Sequence, residues 1–280
     1  MVSATSNIFR CGKFSLPLDF PLVMGVVNIT PDSFSDGGAF LAPGAAIAQA
    51  SKLVEEGAAI VDIGAESSRP GAQPVSEEEE CARLLPVLKA IRGLPVPISV
   101  DTRRAAVMRV ALAEGASMIN DIEALAGPGA LEAVAAGDCG VCLMHKKGEP
   151  ATMQADPHYD DVVSEVAEFL SARMAAAQAA GIASERIVID PGFGFGKTAA
   201  HNLELLHNLG RIAALGAPVL AGLSRKATLG RITGRAPGER MVASVTAALL
   251  AAQRGATILR VHDVGATRDA LAVWRAVEAG

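Results

Sequence analysis

PISVDTRRAAVMRVALAEGASMINDI, residues 97–122, is the stretch from which the architecture can be read. It opens with a short apolar run, 97–102, that closes on Asp101. An Ala/Val/Leu-rich stretch follows at 103–114, and a second apolar run, 118–122, carries Asn120 and Asp121. Strand, helix, strand in this order implies parallel pairing through a crossover. The unit repeats outward in both directions. Further strands are expected at 22–30, 58–66, 141–145, 186–190, 218–223 and 258–262. Further helices are expected at 43–56, 76–92, 129–136, 160–180, 201–214, 238–254 and 266–278. Eight such units could close into a (β/α)8 barrel or lie as an open doubly wound sheet. The length suits the barrel, at about 250 residues for eight units. No Pro/Ser linker or composition break divides the chain. The expected fold is therefore α/β, a (β/α)8 TIM barrel forming one domain over 1–280. Residues 1–20 form an N-terminal hairpin capping the barrel floor, and 21–280 form the barrel.

Composition bounds the function. The chain has 280 residues, 25 Lys+Arg against 30 Asp+Glu, half its residues apolar, and only eight Phe, one Trp and one Tyr. High apolar content at low net charge excludes intrinsic disorder. The mild acidic excess argues against a nucleic-acid partner. No uncharged apolar run approaches the roughly 20 residues of a membrane span. Arg10 and Lys13 precede any apolar core, against a secretory signal. Four sparse cysteines suit a reducing cytoplasm.

The expected strands end in polar residues: Asn28, Glu66, Asp101, Asn120 with Asp121, His145, Asp190, Ser224 to Lys226, and Arg260 with His262. In a barrel these ends share one rim, where substrates bind. Arg260 and His262 alternate on one strand, so both side chains point to the same side. Two polar, glycine-bearing segments, 28–38 and 67–71, read as lid loops, and Arg69 among hydroxyls suits an anion. The segment 190–198 looks like a phosphate-cradling loop, but Pro191 stands where a P-loop requires Gly, so a mobile loop over a flat ligand is expected instead. Cys139 and Cys142 face opposite sides of a strand and read as buried structural thiols. His158, His201 and His207 read as surface residues, and Glu77 to Glu80 as the solvated start of a helix capped by Ser76 and Glu79. A polar pocket with carboxylates, Asn, Lys and an Arg/His pair suggests group transfer from a phosphorylated or pyrophosphorylated small molecule.

Several long segments resemble the dihydropteroate synthases. They are Met24-Gly25-Val26-Val27-Asn28-Ile29-Thr30 through Gly38, Glu66-Ser67-Ser68-Arg69-Pro70-Gly71, Ser99-Val100-Asp101-Thr102, Ile119-Asn120-Asp121-Ile122 and Leu143-Met144-His145. The 190–197 loop, Ser224-Arg225-Lys226 and Arg260-Val261-His262-Asp263 complete the set, in order from about 22 to 278. The resemblance implies a (β/α)8 enzyme of folate synthesis, usually a homodimer. Such an enzyme joins p-aminobenzoate to 6-hydroxymethyl-7,8-dihydropterin pyrophosphate, with Mg²⁺ as cofactor, by a dissociative mechanism. It implies that Asp101, Asn120, Asp190 and Lys226 line the pterin slot with Met144 nearby. Asp101, Asp190, Lys226 and Asn28 would then be catalytic, with Asn28 holding the metal. Ser68, Arg69, Arg260 and His262 would engage the diphosphate, and Phe34, Pro70, Phe195 and Ser224 would frame the aminobenzoate. Ser68 stands where the family has mostly Thr, and Ala65 replaces a common Gly. A folate-methyl methyltransferase module would explain Asp101, Asn120 and Asp190, but not the 28–38 loop or the anion set. A non-catalytic paralogue would not need Lys226. The last two helices are candidate dimer surfaces. Phe34, Phe40, Phe193 and Phe195, half the phenylalanines, fall at the expected mouth.

Overall fold

The computed structural model describes residues 7–29, 42–66, 75–149 and 152–279. Strands β1 (Ile8–Cys11) and β2 (Phe14–Pro17) pair antiparallel, Ile8 opposite Pro17 and Cys11 opposite Phe14. Gly12 makes the turn at φ +55°, a conformation that favours glycine. The barrel strands are β3 (Leu22–Asn28), β4 (Ile60–Gly64), β5 (Ile98–Asp101), β6 (Met118–Asp121), β7 (Gly140–Met144), β8 (Ile187–Asp190), β9 (Val219–Ala221) and β10 (Ala256–Val261). They close in chain order, all parallel, with β10 returning to β3. Each expected strand is present, with ends that differ by a residue or two; β7 and β10 start earlier than expected, and the others are shorter.

The helices are α1 (Ala42–Glu55), α2 (Glu77–Ile91), α3 (Ala105–Ala113), α4 (Ala130–Ala135), α5 (Val162–Ala179), α6 (Ala199–His207), α7 (Leu209–Ala213), α8 (Ala227–Thr233), α9 (Met241–Ala252) and α10 (Val264–Glu278). Two departures from the expected pattern have local causes. The helix expected at 201–214 breaks at Asn208, which leaves helical geometry at ψ +20°. The short α8 was not expected. Its Gly230 packs against the Arg240 guanidinium, which a Cβ there would push aside. Among the described residues, no helix is long and apolar enough to cross a membrane.

Strand alternation sorts the side chains into two populations. Outward positions such as Val61, Val100, Ile119, Leu143, Ile189 and Leu259 join the large core under the helices. Inward positions at the barrel's N-terminal end, Met24, Ile60, Met118, Cys142, Val188, Leu220 and Ile258, form a second cluster with Phe9, Cys11 and Leu18. The hairpin is thus a plug in the barrel floor, as expected. Phe9 is fully buried, and Gly140 makes room for it: a Cβ there would lie 2.5 Å from the ring. Cys139, just before β7, lies in the outer core and Cys142, on β7, in the inner one, so both thiols are buried as expected and point to opposite sides of the sheet.

Candidate active site

Above the apolar floor the inward positions turn polar. On β4 the inward residues are Ile60, Asp62 and Gly64, and the register sets Asp62 opposite Ser99 and Gly64 opposite Asp101. Asp101 in turn faces Asn120, and Met144 faces Asp190. The missing Cβ of Gly64 leaves space beside Asp101, 3.3 Å from where that atom would sit.

Arg260 organises this layer. Its Nε donates to Asp62 Oδ2 at 2.7 Å and its Nη2 to Asp101 Oδ2 at 2.9 Å. Asn120 Nδ2 donates to the same Asp62 oxygen at 3.2 Å. The expected anion-binding Arg260 is therefore turned into the barrel onto two carboxylates. Asp62 is fully buried, and among the described residues neither its Oδ1 nor the Ser99 hydroxyl has a hydrogen-bond partner. Burial pushes the Asp101 carboxyl up to about 7. Arg260 opposes that rise, while Asp62, Asp121 and Glu80 add to it.

Asp190 is buried and its carboxyl is also raised by burial, against the Gly192 amide it accepts at 2.7 Å and against Lys226, Lys197 and Arg260. The Lys226 ammonium lies 4.3 Å from the centre of the Phe195 ring. Phe195 packs with Met144, Ile122 and Met153 as a small apolar cluster on this side of the mouth. Around the barrel Met144 therefore sits between Asn120 and Asp190, so the carboxylates and amide share this end with a thioether and an aromatic ring. Ser224 and His262 meet at the β9–β10 side, Oγ to Nδ1 3.0 Å, and the His262 amide donates to the same hydroxyl. Asn28 ends β3, half-buried, opposite Gly64. Arg225 holds φ +60° and pairs with Asp263, so its guanidinium is committed away from the layer.

Phe34, Ser68, Arg69 and Pro70, with Phe40, lie outside the described residues. The acidic run 77–80 is not uniformly solvated. Glu77, Glu78 and Glu79 are exposed, but Glu80 is fully buried against Arg104. Arg104 also grips Glu66 with both terminal nitrogens, at 3.1 and 3.0 Å, and donates to the Val75 carbonyl at 2.6 Å. Ser76 caps α2 as expected, while Glu79 turns to Arg83 instead of back to the cap. His158 and His207 are exposed. His201 is half-buried, its Nδ1 accepting the Thr198 amide as part of a capping box.

The 190–197 loop is held, not loose. Lys197 is buried and points back at the loop's own carbonyls. Gln154 takes the Gly194 carbonyl, Tyr159 takes that of Gly196, and the Gly194 amide donates to Asn202. The Gly192, Gly194 and Phe195 amides, which a phosphate cradle would need as donors, already donate within the protein. Asp62 could have been found in the sequence: it is the charge inside an apolar run, at strand alternation with Ile60 and Gly64. Met153 and Gln154, on an irregular segment, left no periodic signal.

Residues 24–262 match the pterin binding enzyme family. A dihydropteroate synthase of Neisseria meningitidis serogroup B is 52% identical over 278 residues, 97% of this chain and 98% of that one. The chain belongs to the dihydropteroate synthase family. Among solved structures, the Xanthomonas albilineans dihydropteroate synthase with 4-aminobenzoic acid superposes with a TM-score of 0.93 at 55% identity, covering 99% of this chain and 100% of that one. The X. albilineans enzyme in complex with 7,8-dihydropteroate gives 0.87 at 49% identity, over 98% and 100%.

Proposed function

We propose that the chain condenses p-aminobenzoate with 6-hydroxymethyl-7,8-dihydropterin pyrophosphate, giving 7,8-dihydropteroate and pyrophosphate. The observation that carries this reading, beside family membership, is the grouping of Asp101, Asn120 and Asp190 with Met144 and Phe195 at one end of the barrel. Asp101, Asn120 and Asp190 can meet the alternating donors and acceptors of a pterin edge, while Met144 covers its face. Such a ring is flat, and polar groups beside a thioether and an aromatic ring suit its edge and its face.

In the reaction the methylene C–O bond breaks and pyrophosphate leaves with the electron pair. The arylamine nitrogen attacks the methylene carbon and then loses a proton. Asp101 and Asp190 stand where their charge offsets the cation that develops on the pterin methylene. Lys226, close to Asp190 and over the Phe195 ring, balances the buried carboxylate and closes the slot on that side. His262, with Ser68 and Arg69, is a proposed diphosphate ligand, and Phe34, Pro70, Phe195 and Ser224 frame the aminobenzoate. Arg260 commits two of its five donors to Asp62 and Asp101, and the proposal gives the others to the diphosphate.

The proposed Mg²⁺ fits the donor set modestly. Among the described residues, no cluster of three or more His, Cys, Asp or Glu could hold a metal. Mg²⁺ commonly uses one or two protein oxygens, with water and substrate phosphates as the rest. The Asn28 amide oxygen at the rim suits that mode, and the bound ion would neutralise the departing pyrophosphate.

A homodimer is proposed through α9 and α10, where Val242 is 73% exposed and Val277 is 71% exposed. Sedimentation equilibrium giving a monomer would refute it. Four unpaired thiols suit a cytoplasmic location. The activity is tested with purified protein, both substrates and Mg²⁺, following pyrophosphate. Release no faster than the uncatalysed background rejects the proposal.

A further inference from the structure

Lys197 is 2% exposed, yet its Nζ meets four acceptors from two chain segments. It lies 2.9 Å from the Gly192 carbonyl, 3.1 Å from that of Phe195, 2.9 Å from His145 Nδ1 and 3.4 Å from the His145 carbonyl. Gly192 and Gly196 hold φ +68° and +62° and press against the backbone at 145 and 147. A Cβ at either would come within about 2 Å of the His145 or Lys147 oxygen. The His145 ring is itself fixed, edge-on to Phe169 at 4.9 Å. Burial, with Lys197 adding to it, pushes the imidazole down to about 3, so it is neutral. Its Nδ1 then accepts, and the ring proton sits on Nε2. A group with three donors and no acceptor is what this convergence of carbonyls and ring nitrogen requires.

We propose that Lys197 is a positioning residue for the arylamine side of the site. By binding the Gly192 and Phe195 carbonyls and His145 Nδ1 together, its amine fixes the 190–197 loop in the shape that sets the Phe195 ring beside Lys226 and gives Asp190 the Gly192 amide. It touches no substrate in this arrangement. Burying an amine without an ion pair is unfavourable, and what this one secures is the geometry of two residues assigned to the substrates. The inference rests on the proposed placement of Phe195 against the aminobenzoate.

Lys197→Met removes every donor at similar volume, and Lys197→Gln keeps two and no charge. In Lys197→Met the KM for p-aminobenzoate rises about tenfold or more while kcat changes less, a split that simple loss of folded enzyme does not give. Amide exchange at Gly192, Gly194 and Phe195 quickens, while that of β6 and β7 stays slow. Lys197→Gln falls between. An unchanged aminobenzoate KM, or unchanged exchange in the loop, overturns the proposal. Should neither variant fold, wild-type exchange decides: those three amides must be protected nearly as well as the strand, and fast exchange there rejects a fixed loop. A wild-type protein with no synthase activity would fail the functional reading alone, since the exchange experiment needs no substrate.

Discussion

Arg260 stretches between Asp62 and Asp101, and each residue in that triad depends on the other two. Asp62 is fully buried, so truncating it leaves a guanidinium short of a partner and frees Asn120 as well. Asp62→Ala should cost about 3–5 kcal/mol in urea-measured stability, the range for breaking a buried pair. It should also weaken pterin binding; a variant as stable as wild type would show that the pair contributes little. Asp101 gives a pH expectation. Its carboxyl is pushed up to about 7 by burial, so below that value it is protonated and less able to accept from a pterin edge. The rate kcat/KM should rise with pH through about 7, and Asp101→Asn should lack that limb. The same group bears on stability with the opposite preference. Between its ordinary 3.8 and about 7 the folded chain holds a proton that the unfolded chain has lost, so its contribution falls as pH rises across that window. These residues were differently legible. Asp101, Asn120, Asp190 and Lys226 stand at strand ends, where a polar residue after an apolar run is conspicuous. Asp62 sits mid-strand, and Glu80 sits among three exposed glutamates. Only helical spacing separates it from them, since it falls on the stripe with Leu84, Val87 and Ile91.

At the scale of elements, apolar runs with β-branched content gave all eight barrel strands, because a strand buried on both faces reads as a continuous run. Helix ends were less legible. Asn208 breaks one helix into α6 and α7, and α8 begins directly after Lys226 in seven residues, too few for a periodic pattern. The β1–β2 hairpin makes the packing prediction. Gly140→Ala would set a methyl 2.5 Å from Phe9 Cζ, so the ring must move. Overpacking of this kind costs about 1–3 kcal/mol. Shrinking the ring in Phe9→Leu should restore part of that loss in the double variant. Urea midpoints of the two single variants and the double one check this, and strictly additive losses would mean the residues do not press on each other.

For the molecule as a whole, buried titratable groups on the polar end shape its response to acid. His145 falls from an ordinary 6.5 to about 3. Between those values the unfolded chain binds a proton that the native imidazole refuses, so stability drops as pH falls from about 6.5 toward 3. Asp101 slopes the other way over part of the range, which makes the comparison with a variant the informative one. His145→Gln should show a shallower fall in melting temperature between pH 6.5 and 4 than wild type, and parallel curves would show that His145 is not the sensor. The overall barrel was readable from eight repeats of one unit. Its charge layer was not, because which inward residues meet depends on register, and register appears only when the sheet closes.

Phe9, Cys11 and Leu18 fill the far end, so among the described residues the barrel is a cup open at its polar end. Traffic through such a vessel has an order. Under the proposed function, a pterin against Asp101 and Asn120 would arrive before the passage past Phe195 and Lys226 is filled, and the later arrival would stand between it and the solvent. The first guest in can leave only after the last, unless the two depart joined.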